Sequence, residues 1–291
     1  HEVSLQESRG GYLALTFGTR TPEQVIPVAS VEDTEIPGGS GNIKARIYRP
    51  EGDGSFPTVV FFHGGGFVIG NLDSHDNMCR EICRTAESVV VSVDYRVAPE
   101  NPFPAAIDDG LAATQWVLAH KDELGGSDLV AVAGDSAGGN MAAVIAQQLT
   151  KQGESLAAQL LIYPAIDHDK ASYASREENA KGYFLELETL NWFFKQYAGD
   201  NENITDPKLT PIHADDFSGL PPAVVVTAEF DPLRDEGEAY GKKLSNAGVP
   251  TEIIRCDGMI HCFFDMGRWS PAAQQYIDSS IQRFAKMMRE D

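Results

Sequence analysis

Short, nearly unbroken apolar runs recur along the chain, separated by longer stretches with helical spacing. Residues 57–62, 89–93, 130–133, 157–163 and 222–228 read this way, as strands buried on both faces do. A further strand is expected at 251–256. Between the runs, residues 76–86, 104–120, 234–247 and 271–288 place apolar side chains one helical turn apart, as with Ile107, Leu111, Thr114 and Leu118. Pro104 suits a helix start. Strands alternating with helices predict a mostly parallel, doubly wound α/β sheet, with its ligand site beyond the carboxyl ends of the strands. Ahead of this pattern, residues 31–36 and 43–48 alternate around Pro37-Gly38-Gly39-Ser40-Gly41-Asn42, which predicts a hairpin.

Two segments break the pattern. Residues 1–30 are weakly patterned, with a helix expected over 5–17 and an interruption at Gly10-Gly11. Residues 165–209 are polar and aromatic-rich (Tyr173, Tyr183, Phe184, Trp192, Phe193, Phe194, Tyr197), helical in places and without a buried strand. A segment of that kind between core strands is an insertion. The expected organisation is one domain over residues 1–291, with 1–30 and about 165–209 forming a small helical cap. Asp167, Asp169, Lys170, Arg176, Glu177, Glu178, Lys181, Glu186 and Glu188 break up the apolar surface of the insertion, while Tyr183, Phe184, Trp192 and Phe193 are available to wall a compact pocket.

Composition narrows the partners. With 23 Lys+Arg against 43 Asp+Glu the net charge is −20, which argues against nucleic acid and anionic membrane. No apolar run approaches the roughly 20 residues that cross a bilayer. No basic region followed by an apolar stretch opens the chain, so no signal peptide is expected, and a start at His1 leaves room for residues upstream. Cys79, Cys83, Cys256 and Cys262 form no C-x-x-C pair and no Cys/His ligand spacing, which predicts reduced, buried thiols, no metal and a cytoplasmic setting. The sequence does not set the oligomeric state; a homodimer is compatible with it.

The chemistry concentrates in separated motifs. Gly134-Asp135-Ser136-Ala137-Gly138 joins an apolar run to a helix-forming one and fits Gly-x-Ser-x-Gly, the nucleophile elbow. Read alone, the same residues also suit a glycine-rich helix start in which Asp135 or Ser136 is an N-cap. His63-Gly64-Gly65-Gly66-Phe67 follows its strand directly. Its glycines let backbone N–H groups converge on one point, as an oxyanion requires, with Gly65, Gly66 and the amide of Ala137 as donors. Together with Asp94-Tyr95-Arg96-Val97-Ala98-Pro99-Glu100, Asp231-Pro232-Leu233-Arg234-Asp235-Glu236-Gly237 and Ile260-His261, these motifs resemble the hormone-sensitive-lipase family of α/β-hydrolases over residues 30 to 290.

The resemblance implies an α/β-hydrolase fold, a serine carboxylesterase acting on a small-molecule ester, no cofactor, and a lid formed partly by an N-terminal extension. Two departures stand out: Cys262 occupies a position where the family usually has Gly after the catalytic histidine, and the N-terminal arm is short for a full lid. In this fold the triad runs Ser, acid, His along the chain. Only His261 follows Ser136 beyond the carboxyl end of a core strand. Asp231, Asp235, Asp257 and Asp265 all lie near strand ends. Asp231 is the preferred acid, although Pro232 after it also fits a plain N-cap role, and Asp257 is the second choice. Asp235 and Glu236 read as first-turn residues facing the helix dipole. Asp94, Tyr95, Arg96 and Glu100 are expected to brace loops around the oxyanion site. The expected activity is hydrolysis of short-chain carboxylic esters by Ser136, His261 and Asp231. The alternatives are an amidase or arylformamidase on the same scaffold, or a non-catalytic ligand receptor.

Overall fold

The computed structural model describes residues 4–168, 173–199, 201 and 204–290. These residues form a sheet in the spatial order β1-β2-β4-β3-β5-β6-β7-β8, where β1 is Ser30–Gly38, β2 Gly41–Arg49, β3 Phe56–Phe62, β4 Val89–Val93, β5 Gly126–Asp135, β6 Gln159–Ile162, β7 Ala223–Phe230 and β8 Thr251–Ile260. The β1–β2 hairpin closes where Gly38 pairs with Gly41, and β2 joins β4 antiparallel. Every later pairing is parallel.

Successive side chains on a strand point to opposite faces, and both faces of this sheet are covered. Val60 and Phe62 of β3, Val130 and Val132 of β5, and Val225 of β7 enter one core. Val59 and Phe61, Ala131 and Ala133, and Val224 and Val226 enter the other. That is why the strands read as continuous apolar runs. Helices α3 (Ala105–His120), α4 (Ala137–Lys151) and α7 (Arg234–Asn246) cover the first face, and α2 (Asp76–Thr85) and α8 (Pro271–Met287) the second.

Several strands run beyond their expected bounds: β1 and β2 by one or two residues at each end, β5 back to Gly126, β7 to Phe230 and β8 to Ile260. β8 runs past Cys256 to Ile260, because an irregularity opposite Ala228 and Phe230 is bridged by the Gly258 N–H donating to Glu229 Oε2 at 2.7 Å. Helix α4 begins at Ala137, immediately after Ser136, where the elbow pattern joins a helix-forming run.

The arm begins with α1 (Leu5–Leu13), whose Ser4 and Glu7 form a reciprocal N-terminal cap. It passes uninterrupted through Gly10-Gly11 into a wider turn over Ala14–Gly18, so the expected interruption is absent. Arginines fasten it. Arg9 donates to the Val68 and Ala98 carbonyls and to Glu100, Arg20 to Asp76, and Arg268 to the Leu15 carbonyl and Thr19. The 165–209 segment supplies α5 (Ala174–Glu178) and α6 (Leu187–Ala198); Asp169 and Lys170 lie outside the described residues. All four cysteines are buried and unpaired. Among the described residues no helix is long and apolar enough to cross a membrane, and no group of three acidic, His or Cys side chains is placed to hold a metal.

Candidate active site

β3 is flanked by β4 on one side and β5 on the other. The chain therefore reverses its direction across the sheet at that point, where open α/β sheets place their sites. At the end of β5, Ser136 has φ 56 and ψ −116, a left-handed conformation that costs on the order of 1–3 kcal/mol for a residue with a side chain. Its neighbours over-determine it. Ser136 N–H donates to the Ile162 carbonyl at 2.8 Å, and its own carbonyl accepts from Asn140 and Ala165. The flanking glycines are required by close backbone approach: a Cβ on Gly138 would strike the Phe62 carbonyl oxygen, and one on Gly134 the Gly138 carbonyl.

β7 and β8 deliver the other two groups. His261 Nε2 lies 3.0 Å from Ser136 Oγ, and Nδ1 lies 2.6 Å from Asp231 Oδ2. Asp231 is fully buried and its Oδ1 accepts the Leu233 N–H at 2.9 Å. A carboxylate at Nδ1 fixes that nitrogen as the N–H donor and leaves the Nε2 lone pair for the serine hydroxyl. Of the other acids considered, Asp257 is exposed on β8, Asp235 accepts the Ser175 N–H, and Asp265 follows His261 without reaching its ring. The Tyr163 ring packs 4.6 Å from that of His261.

The glycine loop after β3 completes the group. Gly65 and Gly66 have φ 115 and 60, and among the described residues no protein acceptor takes their N–H groups or that of Ala137. The loop is braced from below. Gly64 N–H donates to Asp135 Oδ1 at 2.8 Å, and Tyr95 donates from its hydroxyl to the His63 carbonyl at 2.6 Å while stacking on the His63 ring. Arg96 pairs with buried Asp109, and Glu100 with Arg9. Burial, helped by His75 nearby, holds His63 down to about 3.

Sequence reasoning passed over Asp135 and His75. Their side chains are buried 3.3 Å apart beneath the loop, where burial works against a charge on His75 but Asp135, together with Asp265 and the Asn71 backbone, raises its affinity for a proton. The available signal was Asp135 itself, which occupies the variable position of the elbow pattern and was considered only as a helix cap.

A cavity of about 250 Å³ opens above Ser136. Phe184, Leu190, Phe193 and Phe194 wall it from the insertion, Tyr12 from the arm, and Cys262 beside His261. A Cβ on Gly66 would strike the Phe193 ring. The other aromatics expected here stand back from the cavity, Tyr183 stacked on Phe230 and Trp192 against Phe193.

Residues 59–265 match the family described by the α/β-hydrolase fold. The chain belongs to that family. Among its α/β-hydrolase relatives, the carboxylic ester hydrolase LipN of Mycobacterium tuberculosis is 42% identical over 263 residues, covering 87% of this chain and 70% of LipN. Esterase LipI of the same organism is 43% identical over 266 residues, 89% of this chain and 82% of LipI. The crystal structure of EstE1, a thermostable carboxylesterase cloned from a metagenomic library, is similar with a TM-score of 0.92 at 40% identity, covering 99% of this chain and 98% of EstE1. This α/β-hydrolase thus resembles ester hydrolases across nearly its whole length.

Proposed function

We propose that this α/β-hydrolase is a serine carboxylesterase for short-chain esters. The observation that carries the reading is the hydrogen-bonded series Asp231–His261–Ser136, at 2.6 and 3.0 Å, placed at the floor of an apolar cavity. Ser136 Oγ attacks the ester carbonyl while its proton passes to His261 Nε2. The carbonyl π pair moves to oxygen, where the N–H groups of Gly65, Gly66 and Ala137 receive the charge. Collapse expels the alkoxide, which takes the proton from Nε2 and leaves as alcohol. Water repeats the sequence on the acyl-enzyme, giving a carboxylic acid and free Ser136. Asp231 holds the imidazole in its tautomer and stabilises the transient imidazolium. No step calls for a cofactor. The buried, unpaired thiols suit a reducing compartment, and we infer a cytoplasmic setting.

An aryl phosphonate and an aryl-ester assay test this. One phosphonyl group per chain should be found on Ser136, and Ser136→Ala should lose turnover by several orders of magnitude. A matched anilide assayed alongside separates esterase from amidase. Label elsewhere, or activity retained in Ser136→Ala, would overturn the mechanism.

A further inference from the structure

The catalytic cavity has a neighbour. A small recess of about 20 Å³ with an apolar accessible lining lies next to it, and Tyr12, Phe184 and Cys262 line both spaces. Beyond them the recess reaches Leu15 and Trp269. These two side chains are 40% and 53% exposed, and Phe184 is 49% exposed, so apolar surface continues from the recess to solvent. Of the three shared residues, Cys262 directly follows His261. Its φ is 67, in the left-handed region that glycine adopts freely and a side chain does not. The backbone thus takes a conformation suited to glycine while a thiol projects between the two spaces. Burial raises the proton affinity of that thiol, which keeps it a small neutral plug.

We propose that Cys262 is a specificity-determining residue whose side chain divides what would otherwise be one larger apolar site and limits the bulk of the alcohol half of the ester. The inference rests on the ester reading above. The leaving oxygen must lie at His261 Nε2 to receive its proton, so the group it carries runs along the wall formed by His261 and the residue after it. The carbonyl oxygen is turned to Gly65, Gly66 and Ala137, which leaves the acyl chain the space walled by Phe193 and Phe194. Bulk on the alcohol therefore meets Cys262, Tyr12 and Phe184 first, and removal of the thiol joins the recess to the cavity.

Cys262→Gly and Cys262→Asn test this, because both residues accept a left-handed backbone and only glycine opens the partition. kcat/KM is measured on butyrates of ethanol, benzyl alcohol and 2-naphthylmethanol, and separately on p-nitrophenyl esters of increasing acyl length, with thermal melts to check folding. For Cys262→Gly the naphthylmethyl-to-ethyl ratio should rise roughly tenfold, the low end of what a pocket-size change contributes. In Cys262→Asn the ratio should stay level or fall, and the acyl-length optimum should not move in either variant. An unchanged alcohol ratio in folded Cys262→Gly, or a shift confined to the acyl series, overturns the partition. Ethyl butyrate and the shortest p-nitrophenyl ester with the unaltered chain test the ester reading separately: failure to cleave either removes both inferences, whereas normal cleavage without a ratio change removes this one alone.

Discussion

At the scale of single residues, the site depends on which carboxylate faces His261. Asp231 Oδ2 is 2.6 Å from Nδ1, while Asp257 is exposed on β8. Asp231→Asn should lower kcat by roughly 10³–10⁴-fold by favouring the wrong tautomer, with the fold intact by circular dichroism, and Asp257→Asn should stay close to wild type. The reverse ranking would remove Asp231 from the mechanism. Asp265 offers a pH test. Burial pushes it up to about 7, partly offset by His75, with Asp135 adding to the rise, and its Oδ2 has no hydrogen-bond partner among the described residues. Between its ordinary range near 4 and about 7, the folded protein therefore holds a proton that the unfolded chain has released. The stability from this group is complete in acid and is lost as pH rises through 7. Asp265→Asn should accordingly melt above wild type at pH 8, by a few degrees if about 1 kcal/mol is involved, and the gap should close toward pH 4. A gap that is constant across this range would contradict the assignment. Ser136 and His261 were legible because their neighbours in sequence announce them. Choosing among four aspartates was harder, since the sequence places all of them near strand ends and only the three-dimensional path of β8 separates them.

At the scale of elements, α5 is fastened to α7 by a buried ion pair. Arg176 Nη2 lies 2.6 Å from Glu236 Oε2, both side chains are essentially inaccessible, and Glu236 Oε1 accepts the N–H groups of Ile166 and Asp167. Burial pushes Glu236 up to about 7 despite these donors. Glu236→Gln leaves Arg176 buried without its counter-charge and should cost about 3–5 kcal/mol in a denaturant titration. The double change Arg176→Met with Glu236→Gln should recover most of that loss, because it removes the unpaired charge while the Gln amide oxygen still accepts the Ile166 and Asp167 N–H groups. A Glu236→Gln cost below about 1 kcal/mol would mean the pair is not closed in solution. In the sequence, Arg176 reads as one of the charges breaking up the insertion surface, and Glu236 as a first-turn residue beside the helix dipole. Local pattern could not pair them, because the partners are 60 residues apart and an arginine in a polar stretch looks the same whether solvated or buried. The central strands posed no such difficulty: burial on both faces writes itself into consecutive apolar positions.

At the scale of the whole molecule, the cavity size and surface charge act together. Each acyl methylene contributes about 0.8 kcal/mol only while it stays buried. In a cavity of about 250 Å³ whose acyl side is closed by Phe193 and Phe194, that gain ends early. kcat/KM for p-nitrophenyl esters should peak at roughly four to six acyl carbons, beyond which further methylenes are no longer buried and add nothing. The net charge of −20 also opposes adsorption to anionic lipid. An optimum at ten carbons or beyond, or a rate jump when the substrate forms an emulsion, would contradict the compact pocket. The overall topology was readable from alternation alone. The reach of the arm was not, since Tyr12 arrives at the cavity through arginine contacts far apart in the chain.

The spacing of the proposed triad also has a consequence in time. Ser136 and His261 are 125 positions apart, and β8, which His261 directly follows, is the last strand among the described residues and an outer strand of the sheet. During synthesis the elbow and the glycine loop leave the ribosome long before His261, the proposed base, is made. The nascent chain therefore carries an unactivated serine until its final strand has docked, and in refolding, hydrolysis should return after the sheet signal rather than with it.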